Sequence, residues 1–191
     1  MPHIGLLFGS FNPIHIGHLA LANYMREVHG MDQVWLVVSP QNPFKDTSQL
    51  IDSHHRLQMA AIALAGQPHY KVCDIEMTMP VPSYTIDTLR ALDAQYPDTQ
   101  FSLIMGSDII QTIAQWRNSA DIVNHYHLYV YPRPGYPMPH TGESKPNFVL
   151  TQAPMIDVSS TFIRQQLSMG RDMRFYLPAG VGQYISEQGI Y

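Results

Sequence analysis

Short, uninterrupted apolar runs recur along this chain, and stretches with helical spacing separate them. Ile4-Gly5-Leu6-Leu7-Phe8 is the first run, Val34-Trp35-Leu36-Val37-Val38 the second and FSLIMG at 101–106 another. A run that is apolar at every position suits a strand buried on both faces, as in a parallel sheet. Between the first two, HLALANYMREVH (18–29) sets Leu21, Met25 and Val28 on one helical face, with Gly30 as a stop. Asp52 or Ser53 can cap a helix lined by Leu57, Ala60, Ala61 and Leu64, with Gly66 just past its end. KVCDIEM (71–77) predicts a strand, and Ser83–Leu92 a helix closed by Pro97. HLYVY (127–131) and NFVLT (147–151) predict two more strands, and 160–167 and 181–188 two more helices. Strands alternating with helices imply an α/β fold, a doubly wound parallel sheet covered on both faces. The Pro- and Gly-rich stretch 131–146 reads as a surface loop, and no internal repeat or boundary divides residues 1–191, so a single domain is expected.

The charge balance narrows the partners. Eleven Lys and Arg against fifteen Asp and Glu give a net charge of −4, too acidic for a broad grip on nucleic acid. A phosphate must therefore be held by a local cluster of donors. Cys73 is the only cysteine, which excludes an internal disulfide and fits a reducing compartment. No basic stretch followed by an apolar run opens the sequence, and no apolar stretch reaches the ~20 residues that span a bilayer. A soluble, cytoplasmic protein with no membrane partner is expected, and a homo-oligomer is compatible with these features.

In such sheets ligands bind beyond the carboxyl ends of the strands. The segments to inspect are 9–18, 39–46, 77–85, 106–108 and 151–160. The first reads GSFNPIHIGH. Gly9 allows a sharp exit from the strand and close approach of a ligand to the main chain. Asn12-Pro13 initiates a turn. Gly17 lies where a helix opens, and the unpaired N–H groups of a first turn form an anion site. His15 and His18, three positions apart, can face the same spot. Phosphate binding, a capping or surface role, and a metal pair all fit the spacing, although zinc needs a third ligand and no carboxylate or cysteine follows before Glu27.

GSFNPIHIGH resembles the (H/T)xGH signature of the nucleotidyltransferase superfamily, and VSSTFIR (158–164) resembles its second signature, ISSTxIR. SYTIDTL (83–89), FSLIMGSDII…W (101–116) and the terminal YLPAGVGQYISEQGIY are similar to bacterial nicotinate-nucleotide adenylyltransferases. The resemblance covers the chain apart from the 132–146 loop and implies a Rossmann-like fold. It also implies transfer of AMP from ATP to nicotinate mononucleotide, giving nicotinate adenine dinucleotide and pyrophosphate in NAD biosynthesis.

Residue by residue, the resemblance assigns His15, His18, Lys45 and Arg164 to catalysis around the ATP phosphates. Gly9, Ser10, Phe11, Gly17, Gly106, Asp108, Ser159, Ser160 and Thr161 are expected to bind ATP, with Asp108 accepting from ribose hydroxyls. In-line phosphoryl chemistry needs charge neutralisation and alignment more than covalent help, which suits imidazoles, a lysine point charge and helix-start amides. Tyr84, Thr85 and Trp116 are expected at the acceptor. Free amides near Tyr84 and Thr85 would favour a carboxylate without any formal positive charge, and Trp116 offers a face for the pyridine ring.

Plainer roles exist for several of these. Ser159-Ser160-Thr161 is also an ordinary helix cap, Lys45 a solvated loop lysine, Asp108 a cap and Trp116 a core residue. Arg56 is expected on a solvated helix face, with an approach to the site as the alternative. Three positions depart from the family pattern: Phe8 replaces a glycine, Asn12 stands where Asp is common, and Phe44 where His is frequent. With Asn at 12, Mg²⁺ is expected on the ATP phosphates and water, with no protein metal ligand. Rival readings are an adenylyltransferase for nicotinamide mononucleotide or phosphopantetheine, a non-catalytic nucleotide sensor, and a zinc hydrolase built on His15 and His18.

Overall fold

A computed structural model describes residues 1–41, 50–138 and 147–191. Six strands form one sheet: β1 (His3–Gly9), β2 (Gln33–Val38), β3 (Tyr70–Cys73), β4 (Gln100–Gly106), β5 (His127–Tyr131) and β6 (Phe148–Leu150). Their spatial order is β3-β2-β1-β4-β5-β6, and every neighbouring pair is parallel. The chain winds outward from β1 in both directions, which makes this a doubly wound α/β sheet. In register, Leu6 faces Trp35 on one side and Leu103 on the other.

Because side chains alternate along a strand, each apolar run feeds two cores. Leu7, Val34, Leu36, Val38 and Ile104 point to one face. There they meet α1 (Ile16–His29), α2 (Ser53–Ala63), α5 (Ser160–Ser168) and α6 (Val181–Gln188) through Ala22, Met25, Met59, Ile163 and Ile185. Ile4, Leu6, Trp35, Val37 and Leu103 point to the other face, against Ile86, Leu89 and Leu92 of α3 (Thr85–Gln95) and Ile122 of α4 (Ser119–His125). Continuous apolar runs are what a sheet covered on both faces demands.

Two local expectations are corrected. The strand expected over 71–77 stops at Cys73, and Ile75–Thr78 turns into a short 3₁₀ helix. The reason is Glu76, which is buried and accepts hydrogen bonds from Ser83 Oγ at 2.6 Å and Thr88 Oγ1 at 2.7 Å. A strand through 76 would carry that carboxylate away from both hydroxyls. Second, α4 and the 3₁₀ turns Ser107–Gln111 and Ile113–Gln115 fill a stretch for which no element was expected. Among the described residues, no helix is long and apolar enough to cross a membrane.

Candidate active site

The winding reverses between β1 and β4, and the crevice at their carboxyl ends holds the candidate residues. Beyond β1 the chain turns at Ser10 to Pro13, with Phe11 in the left-handed region (φ 47°) and 2% exposed. Its ring lies over Gly9: a Cβ there would sit 2.8 Å from the Phe11 Cζ. Gly9 is thus required by its neighbour two residues on.

The turn delivers two stacked imidazoles. The rings of His15 and His18 are 3.7 Å apart and inclined by 24°, and Phe11 meets His18 edge-on at 5.0 Å. The His15 backbone N–H donates to His18 Nδ1 at 3.2 Å. In a neutral ring that bond puts the proton on Nε2, making this nitrogen a donor. His15 is buried, and its pKa is lowered to about 4, first by desolvation and then by the nearby Arg133 guanidinium. It is neutral at pH 7, and its Nδ1 is buried with no hydrogen-bond partner among the described residues.

The second signature packs directly on this turn. Ser160 Oγ donates to the Pro13 carbonyl at 2.8 Å, and Arg164 Nη1 donates to the Asn12 carbonyl, also at 2.8 Å. A Cβ on Gly17 would lie 3.0 Å from Val158 Cγ1. Ser159 caps α5 by accepting from the Phe162 N–H at 3.2 Å. The Ser160 hydroxyl proton is thus committed to the Pro13 carbonyl. The first-turn amides of α5 have no intrahelical partner by construction. Tyr191 adds a contact that sequence patterns did not single out: its hydroxyl donates to Asn12 Oδ1 at 2.6 Å.

On the other side of the crevice, one cleft is lined by Tyr84, Thr85, Gly106, Asp108, Trp116 and Arg133. Five of these, Tyr84, Thr85, Gly106, Asp108 and Trp116, are sequence candidates brought together here. Arg133 is not. Its Nη1 pairs with Asp108 Oδ2 at 3.2 Å. A Cβ on Gly106 would lie 2.3 Å from both Arg133 Cδ and Asp108 Oδ1. Glycine at 106 is what lets this ion pair lie across the strand end. Asp108 Oδ1 is buried without a partner among the described residues, an acceptor open to a hydroxyl. Arg133 sits in a Pro-Gly loop, and only its approach to His15 and Asp108 marks it out.

Arg56 corrects the sequence expectation most sharply. It is 1% exposed. Its guanidinium donates to the carbonyls of Ser39 (2.6 Å), Ser10 (2.9 Å), Pro40 (3.0 Å) and Ile51 (3.1 Å). One side chain thereby joins the turn after β1 to both ends of the segment after β2. Lys45 and Phe44 lie outside the described residues. Among the described residues, no group of three His, Cys, Asp or Glu is arranged to hold a metal ion.

Comparison with known proteins follows the same outline. A family model for cytidylyltransferase-like proteins matches residues 6–166. A Bacteroides fragilis protein named probable nicotinate-nucleotide adenylyltransferase is 45% identical over 96% of this chain and 91% of its own length. A Flavobacterium johnsoniae protein of the same name is 43% identical over 98% of each chain. In fold, the chain is similar to the Plasmodium falciparum nicotinic acid mononucleotide adenylyltransferase complexed with NaAD. The TM-score is 0.84 at 21% identity, covering 100% of this chain and 98% of that one.

Proposed function

The chain belongs to the nicotinate-nucleotide adenylyltransferases of the cytidylyltransferase-like family, and from that premise we propose that it transfers AMP from ATP to nicotinate mononucleotide. The products are nicotinate adenine dinucleotide and pyrophosphate. One observation carries the reading: the His15–His18 turn and the Ser160–Arg164 helix start are bonded to each other beside the Tyr84–Trp116 cleft. A triphosphate and a nucleotide acceptor can meet there.

In the reaction the acceptor 5′-phosphate attacks the α-phosphorus of ATP. A P–O bond forms, the bond from the α-phosphorus to the bridging oxygen breaks, and pyrophosphate leaves with that electron pair. The protein's part is alignment and charge stabilisation. His18 Nε2–H donates to phosphate oxygens, its ring held by the His15 amide and by Phe11. Neutral His15 contributes a dipole in place of a charge. Amides at the starts of α1 and α5 add donors, Arg164 closes the phosphate side, and Lys45 is the further cation assigned by resemblance to the β- and γ-phosphates. Gly9, Ser10, Phe11 and Gly17 shape the turn around the nucleotide, and Gly106 and Asp108 take the ribose. Such preorganised donors contribute most where charge develops in the transition state.

The donors around the triphosphate are N–H groups, and each carboxylate of the cleft has a partner on at least one oxygen: Glu76 with Ser83 and Thr88, Asp108 Oδ2 with Arg133. That set fits anionic oxygens and offers no cage for a hard dication. Mg²⁺ would therefore be carried by the triphosphate and water, where it supplies neutralising charge.

A pyrophosphate-release assay with ATP and each candidate acceptor tests the reading. Turnover is expected with nicotinate mononucleotide and far less with nicotinamide mononucleotide. Preferred turnover of phosphopantetheine, or none with any acceptor, would contradict it.

A further inference from the structure

The acceptor cleft contains a second cation besides Arg133. Arg117 follows Trp116 on a turn closed by the Ser119 N–H, which donates to the Trp116 carbonyl at 3.1 Å. Asn118 completes this turn in the left-handed region, at φ 51°. The turn brings residues 116 and 117 together to the wall that Tyr84 and Thr85 also line. There the Arg117 guanidinium carbon lies 4.9 Å from the Tyr84 ring centroid, and Nη1 donates to Asp87 Oδ2 at 3.1 Å. Stacked on a ring and tied to a carboxylate, the guanidinium is held in one orientation although its side chain is 55% exposed.

Asp87 engages one of the five N–H groups an arginine carries. We propose that Arg117 is a specificity-determining residue for the acceptor, its remaining N–H groups receiving the pyridine carboxylate and disfavouring a carboxamide. The inference rests on the acceptor reading above and deepens it. Arg117 and Arg133 both present donors to this cleft. Glu76 is buried, and its two oxygens accept from Ser83 and Thr88. The first-turn amides of α3 are donors as well. A carboxylate brings a negative charge and two acceptor oxygens to this wall. A carboxamide brings one acceptor and an NH₂ group that sets N–H against N–H. Discrimination thus has an attractive part for the acid and a repulsive part for the amide. Solvent screening of a half-exposed guanidinium limits its share of the selectivity to about tenfold.

The test is calorimetric titration of nicotinate mononucleotide and nicotinamide mononucleotide into the full-length wild type, R117M and R117K, with the KM for ATP measured alongside. In R117M the acid-to-amide affinity ratio is expected to fall about tenfold, through weaker acid binding, with the KM for ATP unchanged. R117K keeps part of the ratio, and added salt lowers the wild-type ratio. A wild-type preference for the acid that R117M leaves intact overturns the role of Arg117 while the acceptor reading stands. A wild type that binds both mononucleotides alike overturns both.

Discussion

Ser160 donates its hydroxyl to the carbonyl of Pro13 at 2.8 Å, across 147 positions of sequence. Arg164 repeats the link one turn later, to the carbonyl of Asn12. Both signature segments are therefore parts of one wall, and these two bonds between them run to backbone carbonyls. The Ser160 bond also gives a first prediction. Ser160→Ala leaves the Pro13 carbonyl without its donor and should lower unfolding free energy by about 1 kcal/mol. In the same variant kcat/KM for ATP should fall, because the two arms of the phosphate site loosen. Unchanged stability and activity would mean that packing alone joins the segments.

Arg56 should be among the least replaceable residues. Arg56→Met strips the carbonyls of Ser10, Ser39, Pro40 and Ile51 of their donors in a buried site. Several such losses together should cost about 3 kcal/mol or more in a denaturant titration. A cost near that of an ordinary surface substitution would contradict the bonding described.

His15 predicts acid sensitivity. Its pKa is about 4 in the folded protein against 6.5 for an unperturbed histidine, so below pH 6.5 the unfolded chain binds the extra proton. Stability from this group is full above pH 6.5 and is lost as the pH falls through about 4, by on the order of 3 kcal/mol. His3 and His29, both lowered by desolvation, act in the same direction. Unfolding curves between pH 4 and 7 should show the slope, and His15→Gln should flatten it. A slope that His15→Gln leaves unchanged would remove the assignment.

Gly106→Ala probes the ribose side. The added Cβ meets the flexible Arg133 chain and the Asp108 carboxylate, which must separate. Melting temperature should shift little while the KM for ATP rises several-fold, on the order of the ~1 kcal/mol of a displaced polar contact. An unchanged KM would show that the ion pair takes no part in holding the ribose.

Much of the fold was legible in the sequence because strands buried on both faces are predominantly apolar: β1, β2 and β4 stand within one residue of their runs, and β5 coincides with HLYVY. The short α4 was not, since its seven residues offer only Ile122 and Val123 as buried positions. The helix at 83–92 shifts to Thr85–Gln95 because Ser83 is held by Glu76 in front of it. At the site, His15, His18 and the SSTFIR block were visible as local patterns. Arg56, Arg117, Arg133 and Tyr191 were not, because their partners are carbonyls, rings and carboxylates distant in sequence or set by a turn. A lone arginine looks the same in sequence whether it is solvated or clamped to four carbonyls.

The central claim is that two segments far apart in sequence hold one triphosphate. A crystal structure with a non-hydrolysable ATP analogue and Mg²⁺ tests it most directly. The account predicts His18 Nε2 and the main-chain amides at Ser160 and Thr161 within hydrogen-bond distance of oxygens of the same triphosphate, with Mg²⁺ on phosphate and water oxygens. A triphosphate that contacts only one of the two segments, or lies elsewhere on the molecule, would contradict it.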